Sequence, residues 1–152
     1  MMEIYVDGDA CPVKAETVRV AERHKLIVHM VSNQWMRLPD SRCIRQTVVS
    51  EGADKADDWI AERAGLGDVV VTADIPLAAR CLENKAIVVG PTGRPFDEES
   101  IGMALAMRDL HANLRECSDF QGRVATFGKK DLSRFLSSLE EAVRRAAKQD
   151  VQ

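Results

Sequence analysis

Six aspartates stand in three short stretches of this 152-residue chain. Asp7 and Asp9 lie in Val6-Asp7-Gly8-Asp9, and Asp54, Asp57 and Asp58 in Gly52-Ala53-Asp54-Lys55-Ala56-Asp57-Asp58; Asp74 closes Val71-Thr72-Ala73-Asp74. Carboxylates are hard oxygen donors, suited to Mg²⁺ or Mn²⁺ and not to zinc or copper. A pair of such ions can activate water and stabilise the leaving oxygen of a phosphodiester. A plainer role competes at each position. Aspartate is a preferred helix N-cap and favours the first helical turn. Asp9 precedes a helix opened by Pro12, Asp74 one opened by Pro76, and Asp54 can cap its own. For any one of these, capping is the stronger reading. Asp7 is different, because it directly ends a buried strand, where an unpaired charge is costly. Asp54 and Asp58 share a helix face at i,i+4, with Asp57 at i+3, more acids than one cap needs. As a set they favour a metal site, since like charges this close repel unless a cation holds them.

Other residues carry weaker signals. Lys14, about one turn into the first helix, could reach a phosphate, although a solvated lysine is the commoner outcome. Thr72 could touch a ligand, or equally could bond the backbone at its strand end. Asn33, Trp35 and Arg37 could stack on and grip a single nucleic-acid strand, although packing the loop down is the usual job of such a tryptophan. His24, His29 and His111 show no partner pattern. Lys129, Lys130, Arg134, Arg144, Arg145 and Lys148 read as a solvated helix face and tail.

The elements that must position these groups alternate strand with helix. Ile4 to Val6 is a short apolar run, as in a central parallel strand. A helix opens at Pro12, and Leu26 to Val31 is a second strand. Ile44 to Val49 alternates as a half-exposed edge strand does. A helix runs from about Asp54 to Ala64, closed by Gly65 and Gly67. Val69 to Val71 is a buried strand, Pro76 opens a helix ending at Cys81 or Leu82, and Ala86 to Val89 is a fifth strand. Gly90 to Gly93 is a turn. A helix is expected from Asp97 to about Leu114. Gln121 to Phe127 reads as a strand or a loop. The last helix is expected to be capped by Asp131, with Leu132, Phe135, Leu136, Leu139 and Val143 as its apolar stripe. This pattern predicts one three-layer α/β domain over residues 1–152, with a parallel sheet in the order 3-2-1-4-5 and helices on both faces. The switch point then falls between strands one and four, where ligands of such folds bind beyond the carboxyl ends. Asp7, Asp9 and Asp74 flank it, and the Asp54 helix starts on the same rim.

At this point a resemblance enters. Asp7-Gly8-Asp9-Ala10-Cys11-Pro12-Val13-Lys14, Gly52-Ala53-Asp54-Lys55-Ala56-Asp57, Val71-Thr72-Ala73-Asp74-Ile75-Pro76-Leu77-Ala78 and Leu105-Ala106-Met107-Arg108-Asp109-Leu110 resemble the signatures of the YaiI/YqxD family. That bacterial family has no established function and is assigned to the PIN-like nuclease superfamily. The resemblance covers nearly the whole chain, although 122–135 matches only loosely. It implies a PIN-like fold and metal ligation by Asp7, Asp54, Asp57 or Asp58, and Asp74, with Asp9 as an extra carboxylate. The catalytic set would be Asp7, Asp54 and Asp74; Lys14, Asn33 and Thr72 would meet substrate. The expected activity is Mg²⁺- or Mn²⁺-dependent phosphodiester hydrolysis, on single-stranded RNA before DNA.

Composition narrows the alternatives. A net charge of −3 argues against a general nucleic-acid coat, yet bound ions cancel acidic charge locally and leave a nuclease open. The apolar runs are too short to span a bilayer. The N-terminal stretch reads as a strand and lacks a basic n-region. Cys11, Cys43, Cys81 and Cys117 are widely spaced, without zinc spacing, so free thiols in a cytoplasmic protein are expected. A homo-oligomer remains open. The main rival is a haloacid-dehalogenase-like phosphatase, with Asp7 as nucleophile, Asp9 as acid/base and Thr72 on the phosphate. It leaves Asp54, Asp57 and Asp58 without a job, and the fifth strand ends in Gly90-Pro91 without an acidic pair. A receiver domain ranks third, because strand three offers no acceptor aspartate. A non-catalytic RNA- or protein-binding module is the non-enzymatic rival.

Overall fold

Valine-rich strands need cover on both faces, and the sheet finds it. The structure is a computed structural model and describes residues 3–8, 13–35, 37–38, 42–49, 55–96, 102 and 129–151. The elements are β1 (Glu3–Asp7), α1 (Lys14–His24), β2 (Ile27–Ser32), β3 (Ile44–Val48), α2 (Lys55–Arg63), β4 (Val69–Val71), α3 (Ile75–Glu83), β5 (Ile87–Val89), β6 (Pro95–Phe96) and α4 (Lys129–Val151). The sheet order is β3-β2-β1-β4-β5-β6. The first five strands are all parallel, in the order the sequence predicts.

Strand alternation divides the core. Ile4, Val6, Val28, Met30, Val69, Val71, Ile87 and Val89 face one way, onto Val18 and Ala21 of α1 and Phe135, Leu139 and Val143 of α4. Tyr5, Val31, Val70 and Val88 face the other way, onto Ala56 and Ile60 of α2 and Leu77, Ala78 and Cys81 of α3. The uninterrupted Val69-Val70-Val71 run is thus explained: successive valines serve opposite layers. Fully burying a side chain of the size of Ile4 or Phe135 contributes about 1.5–3 kcal/mol.

Several details depart from expectation. β6 was not foreseen; it pairs antiparallel with β5, through Val88 with Phe96 and Val89 with Pro95. Two residues are too few to show alternation, and proline is tolerated there because the strand lies at the sheet edge. Asp131 does not cap α4, which already runs from Lys129; it lies in the first turn instead. The helix expected from Asp97 lies outside the described residues, Gly102 excepted, as does the ambiguous stretch at 121–127. Cys43 and Cys81 are free thiols, as expected, and Cys11 and Cys117 lie outside the described residues. No described helix is long and apolar enough to cross a membrane.

Two histidines without a sequence pattern find partners. His24 Nε2 meets Glu140 Oε2 at 2.5 Å, tying α1 to α4. His29 stacks on Tyr5, with ring centroids 4.8 Å apart, and Trp59 of α2 closes over both. His29 Nε2 lies 3.2 Å from Glu3 Oε1, though without the alignment of a hydrogen bond. At this amino end of the sheet Asp68 is buried, and accepts from the backbone N–H groups of Glu3 and Gly65, each at 3.0 Å. Burial pushes its carboxyl above the ordinary range, against the lowering by those two N–H groups. Asp68 ties β1 to the α2–β4 loop, at the end of the sheet opposite the rim described next.

Candidate functional site at the carboxyl rim

β1 and β4 are neighbours whose outgoing connections diverge: α1 crosses to one face, α2 and α3 lie on the other. Val6 pairs with Val71, so the next residues, Asp7 and Thr72, emerge side by side at the carboxyl end. Alternation turns Asp7 to the same face as Tyr5, the α2/α3 side. The Thr72 hydroxyl donates to Asp7 Oδ2 at 3.2 Å and accepts from the backbone N–H of Asp74 at 3.0 Å. That N–H can only donate, so the hydroxyl proton is directed at Asp7. Thr72 is 2% exposed; it links the ends of β1 and β4 and orients one carboxylate.

Asp74 caps α3. Its backbone is extended, and its Oδ1 accepts from the N–H of Leu77 at 3.0 Å, with Pro76 in the first helical turn. The cap reading and the ligand reading are compatible here, since a carboxylate has a second oxygen and further lone pairs. The Thr72 hydroxyl therefore links the Asp7 carboxylate to the Asp74 backbone.

The α2 acids behave differently. Asp58 accepts from Arg80 of α3 at 2.9 Å, an exposed ion pair across the two helices. That bond, the largest cause, raises the Arg80 pKa above its ordinary value. Asp57 acts on the same neighbourhood, adding to the rise at Arg80 and to that at Cys81. Asp9 and Asp54 lie outside the described residues. Lys14 is the first residue of α1, on this rim, and Asn33 follows β2. Ser32 is buried and donates from Oγ to the Gln34 carbonyl at 2.7 Å, shaping the turn after β2. Trp35, expected to pack its loop down, stands 72% exposed. The Arg80 partner of Asp58 was missed from sequence; a basic residue on the facing surface of the next helix is the signal that pointed to it.

Among the described residues, no group of three or more His, Cys, Asp or Glu side chains is placed to share a metal ion. The donor chemistry at Asp7 and Asp74 nonetheless fits Mg²⁺, which is often held by one or two carboxylates with water and substrate phosphate completing its shell.

A family model described as "Uncharacterized BCR, YaiI/YqxD family" matches residues 5–145. The chain belongs to the YaiI/YqxD family. Its relatives include a UPF0178 protein of Parvibaculum lavamentivorans, 60% identical over 144 residues and covering 95% of each chain. Another, from Rhizobium etli, is 57% identical over 143 residues, covering 94% of this chain and 92% of its own. A third, from Mesorhizobium japonicum, is 58% identical over 145 residues, covering 95% and 94%. No solved structure gives a significant match. The matched span of the YaiI/YqxD model includes Asp7, Thr72 and Asp74.

Proposed function

We propose that this YaiI/YqxD protein is a divalent-metal-dependent phosphodiesterase acting on single-stranded RNA, with Asp7 and Asp74 at the centre of its site. The supporting observation is the link through Thr72 from the Asp7 carboxylate to the Asp74 backbone, at the switch point of a parallel sheet, the usual ligand position in such folds. The resemblance to PIN-like nucleases points the same way. Asp7 and Asp74 would hold Mg²⁺ or Mn²⁺, with Asp54, Asp9, Asp57 or Asp58 as further carboxylates. When bound, such a cation supplies Lewis acidity and neutralises charge on the reacting phosphate.

The chain's own residues have separate tasks. Thr72 holds Asp7 as an acceptor and prevents its carboxylate from rotating away. Asp74, fixed by its bond to the α3 backbone, cannot withdraw from the rim. Such pre-set groups avoid reorganisation during reaction. Lys14, at the start of α1, and Asn33, just after β2, would meet the substrate. The phosphatase rival would need the Thr72 hydroxyl to turn from Asp7 to a phosphate.

Incubating single-stranded RNA with the protein and Mn²⁺, with Asp7→Asn as control, tests the proposal. Cleavage by wild type and its loss in Asp7→Asn are expected. If neither protein cleaves at millimolar Mn²⁺ while RNA still binds, the non-catalytic RNA-binding reading replaces it.

A further inference from the structure

We propose that the groove between the β5–β6 turn and the first turns of α4 is a binding site for the phosphate backbone of single-stranded RNA. It is lined by Gly93, Lys130, Ser133, Arg134, Ser137 and Ser138 and has a volume of about 510 Å³. The inference rests on the nuclease reading for the identity of the strand, and on different residues for its location.

Helical spacing creates the lining. Residues 130, 133, 134, 137 and 138 fall on one stripe of α4, while Phe135, Leu139, Val143 and Ala146 form the stripe buried on the sheet. The groove is held in shape from the other wall. Gly93 has φ +88°, and a Cβ there would lie 2.6–2.8 Å from Arg134 backbone and Cβ atoms, so only glycine allows the turn to seat against the helix. Ser138 Oγ donates to the Gly93 carbonyl at 2.6 Å and fastens the two together. Ser133 and Ser137 add hydroxyl donors beside two cations. Among the described residues neither Lys130 nor Arg134 has an acidic partner. Unpaired cations with hydroxyl donors in an open groove suit phosphate oxygens.

Position ties the groove to the rim. The turn at Gly90–Gly93 follows the carboxyl end of β5, two strands from β1 in the sheet. Two strand spacings are about 10 Å. Asp7 and Asp74 lie on the α2/α3 side of the rim and the groove on the α1/α4 side. A chain with net charge −3 would repel a polyanion from an acidic rim. A cationic groove beside that rim offers an anchor that does not depend on a metal ion.

The test is fluorescence anisotropy with a labelled ten-nucleotide oligouridylate in EDTA, so that cleavage plays no part. Wild type is compared with Lys130→Gln/Arg134→Gln and with the charge-keeping Lys130→Arg/Arg134→Lys. Each phosphate contact contributes about 0.7 to the salt slope for single strands, so losing two should lower it by about 1.4. Between 1 M and 0.1 M salt that slope corresponds to about 25-fold weaker binding by the Gln variant. The charge-keeping variant should bind as wild type does, and all three should melt at one temperature. A methylphosphonate oligomer, with its neutral backbone, should not distinguish them. Equal affinity and slope in wild type and the Gln variant would overturn the proposal. So would no binding by wild type at 50 mM salt, or equally tight groove-dependent binding of polyglutamate. If binding depends on the groove but wild type never cleaves with Mn²⁺, the groove stands and the hydrolase reading falls. Cleavage by wild type with groove-independent binding is the reverse case.

Discussion

At Asp74 one carboxylate caps α3 through Oδ1 and, in the proposed reaction, also serves a cation. Asparagine caps about as well as aspartate, whereas alanine costs about 0.5–2 kcal/mol. Asp74→Asn should therefore keep wild-type stability in urea while losing hydrolysis, and Asp74→Ala should lose both. If Asp74→Asn retains full activity, Asp74 is only a cap. Thr72 allows a parallel comparison. Valine has the same shape but no hydroxyl, so Thr72→Val removes the bond to Asp7 Oδ2 and the one from the Asp74 N–H. Each lost hydrogen bond of this kind costs about 0.5–1.5 kcal/mol. Urea titration should show that loss for Thr72→Val and little for Thr72→Ser, with hydrolysis following the same order.

Among the elements, α4 depends most on contacts far away in sequence. Phe135 and Leu139 bury it on the sheet, Gly93 receives its first turns, and Glu140 binds His24 of α1. Gly93→Ala would force both a positive φ on an alanine and a clash with Arg134 backbone. Thermal melts should show a loss of about 1–3 kcal/mol, the usual range for strain of this kind. Glu140 supplies a pH signature. Its hydrogen bond with His24, the largest cause, holds its carboxyl below the ordinary value of 4.5. A carboxyl with a depressed folded pKa contributes stability above its unfolded pKa and loses it as pH falls through the folded one. The stability difference between wild type and Glu140→Gln should thus shrink as pH falls below 4.5. A difference that does not change down to pH 3 would remove the His24 bond as its cause.

At the scale of the whole molecule, Asp7 and Asp74 lie on the α2/α3 side of the rim and the Lys130–Arg134 groove on the α1/α4 side. A cation bound only by the native state raises stability by mass action, about 2.7 kcal/mol at a hundred times its dissociation constant. Wild type should melt later with rising Mn²⁺, and Asp7→Asn should respond less; the absence of any shift at millimolar Mn²⁺ would count against a resident metal. Packing of the α2/α3 layer offers a further check. Burial, the largest cause, pushes the Cys81 thiol up to about 12. The thiolate is the reactive form, so iodoacetamide at pH 8 should spare Cys81 in the native protein and label it in urea. Peptide mapping by mass spectrometry would resolve it from the other cysteines.

Much of this fold was legible because its signals are local. Val69-Val70-Val71 and Ala86 to Val89 announce strands covered on both faces, and alternation with helices leaves little choice but a parallel sheet. Right-handed crossovers then place strand one centrally and its final residue, Asp7, on the carboxyl rim. Pro76 after Asp74 marked a capped helix start, and the structure has that cap. What the sequence could not decide are the pairings between elements. Thr72 finds Asp7 across 65 residues, His24 finds Glu140 across 116, and Asp58 finds Arg80 across 22. Those choices depend on how far each helix is rotated on the sheet and how far each side chain reaches, quantities with no sequence period. Trp35 is the same lesson in reverse, since an aromatic residue packs only where the fold sets a surface opposite it, and this one stands exposed. β6 was hidden because two residues cannot display a pattern. The sequence determined which residues reach the rim, since backbone periodicity and chain connectivity set that. Which of them meet was decided by tertiary packing, because only the assembled layers bring distant side chains within bonding distance.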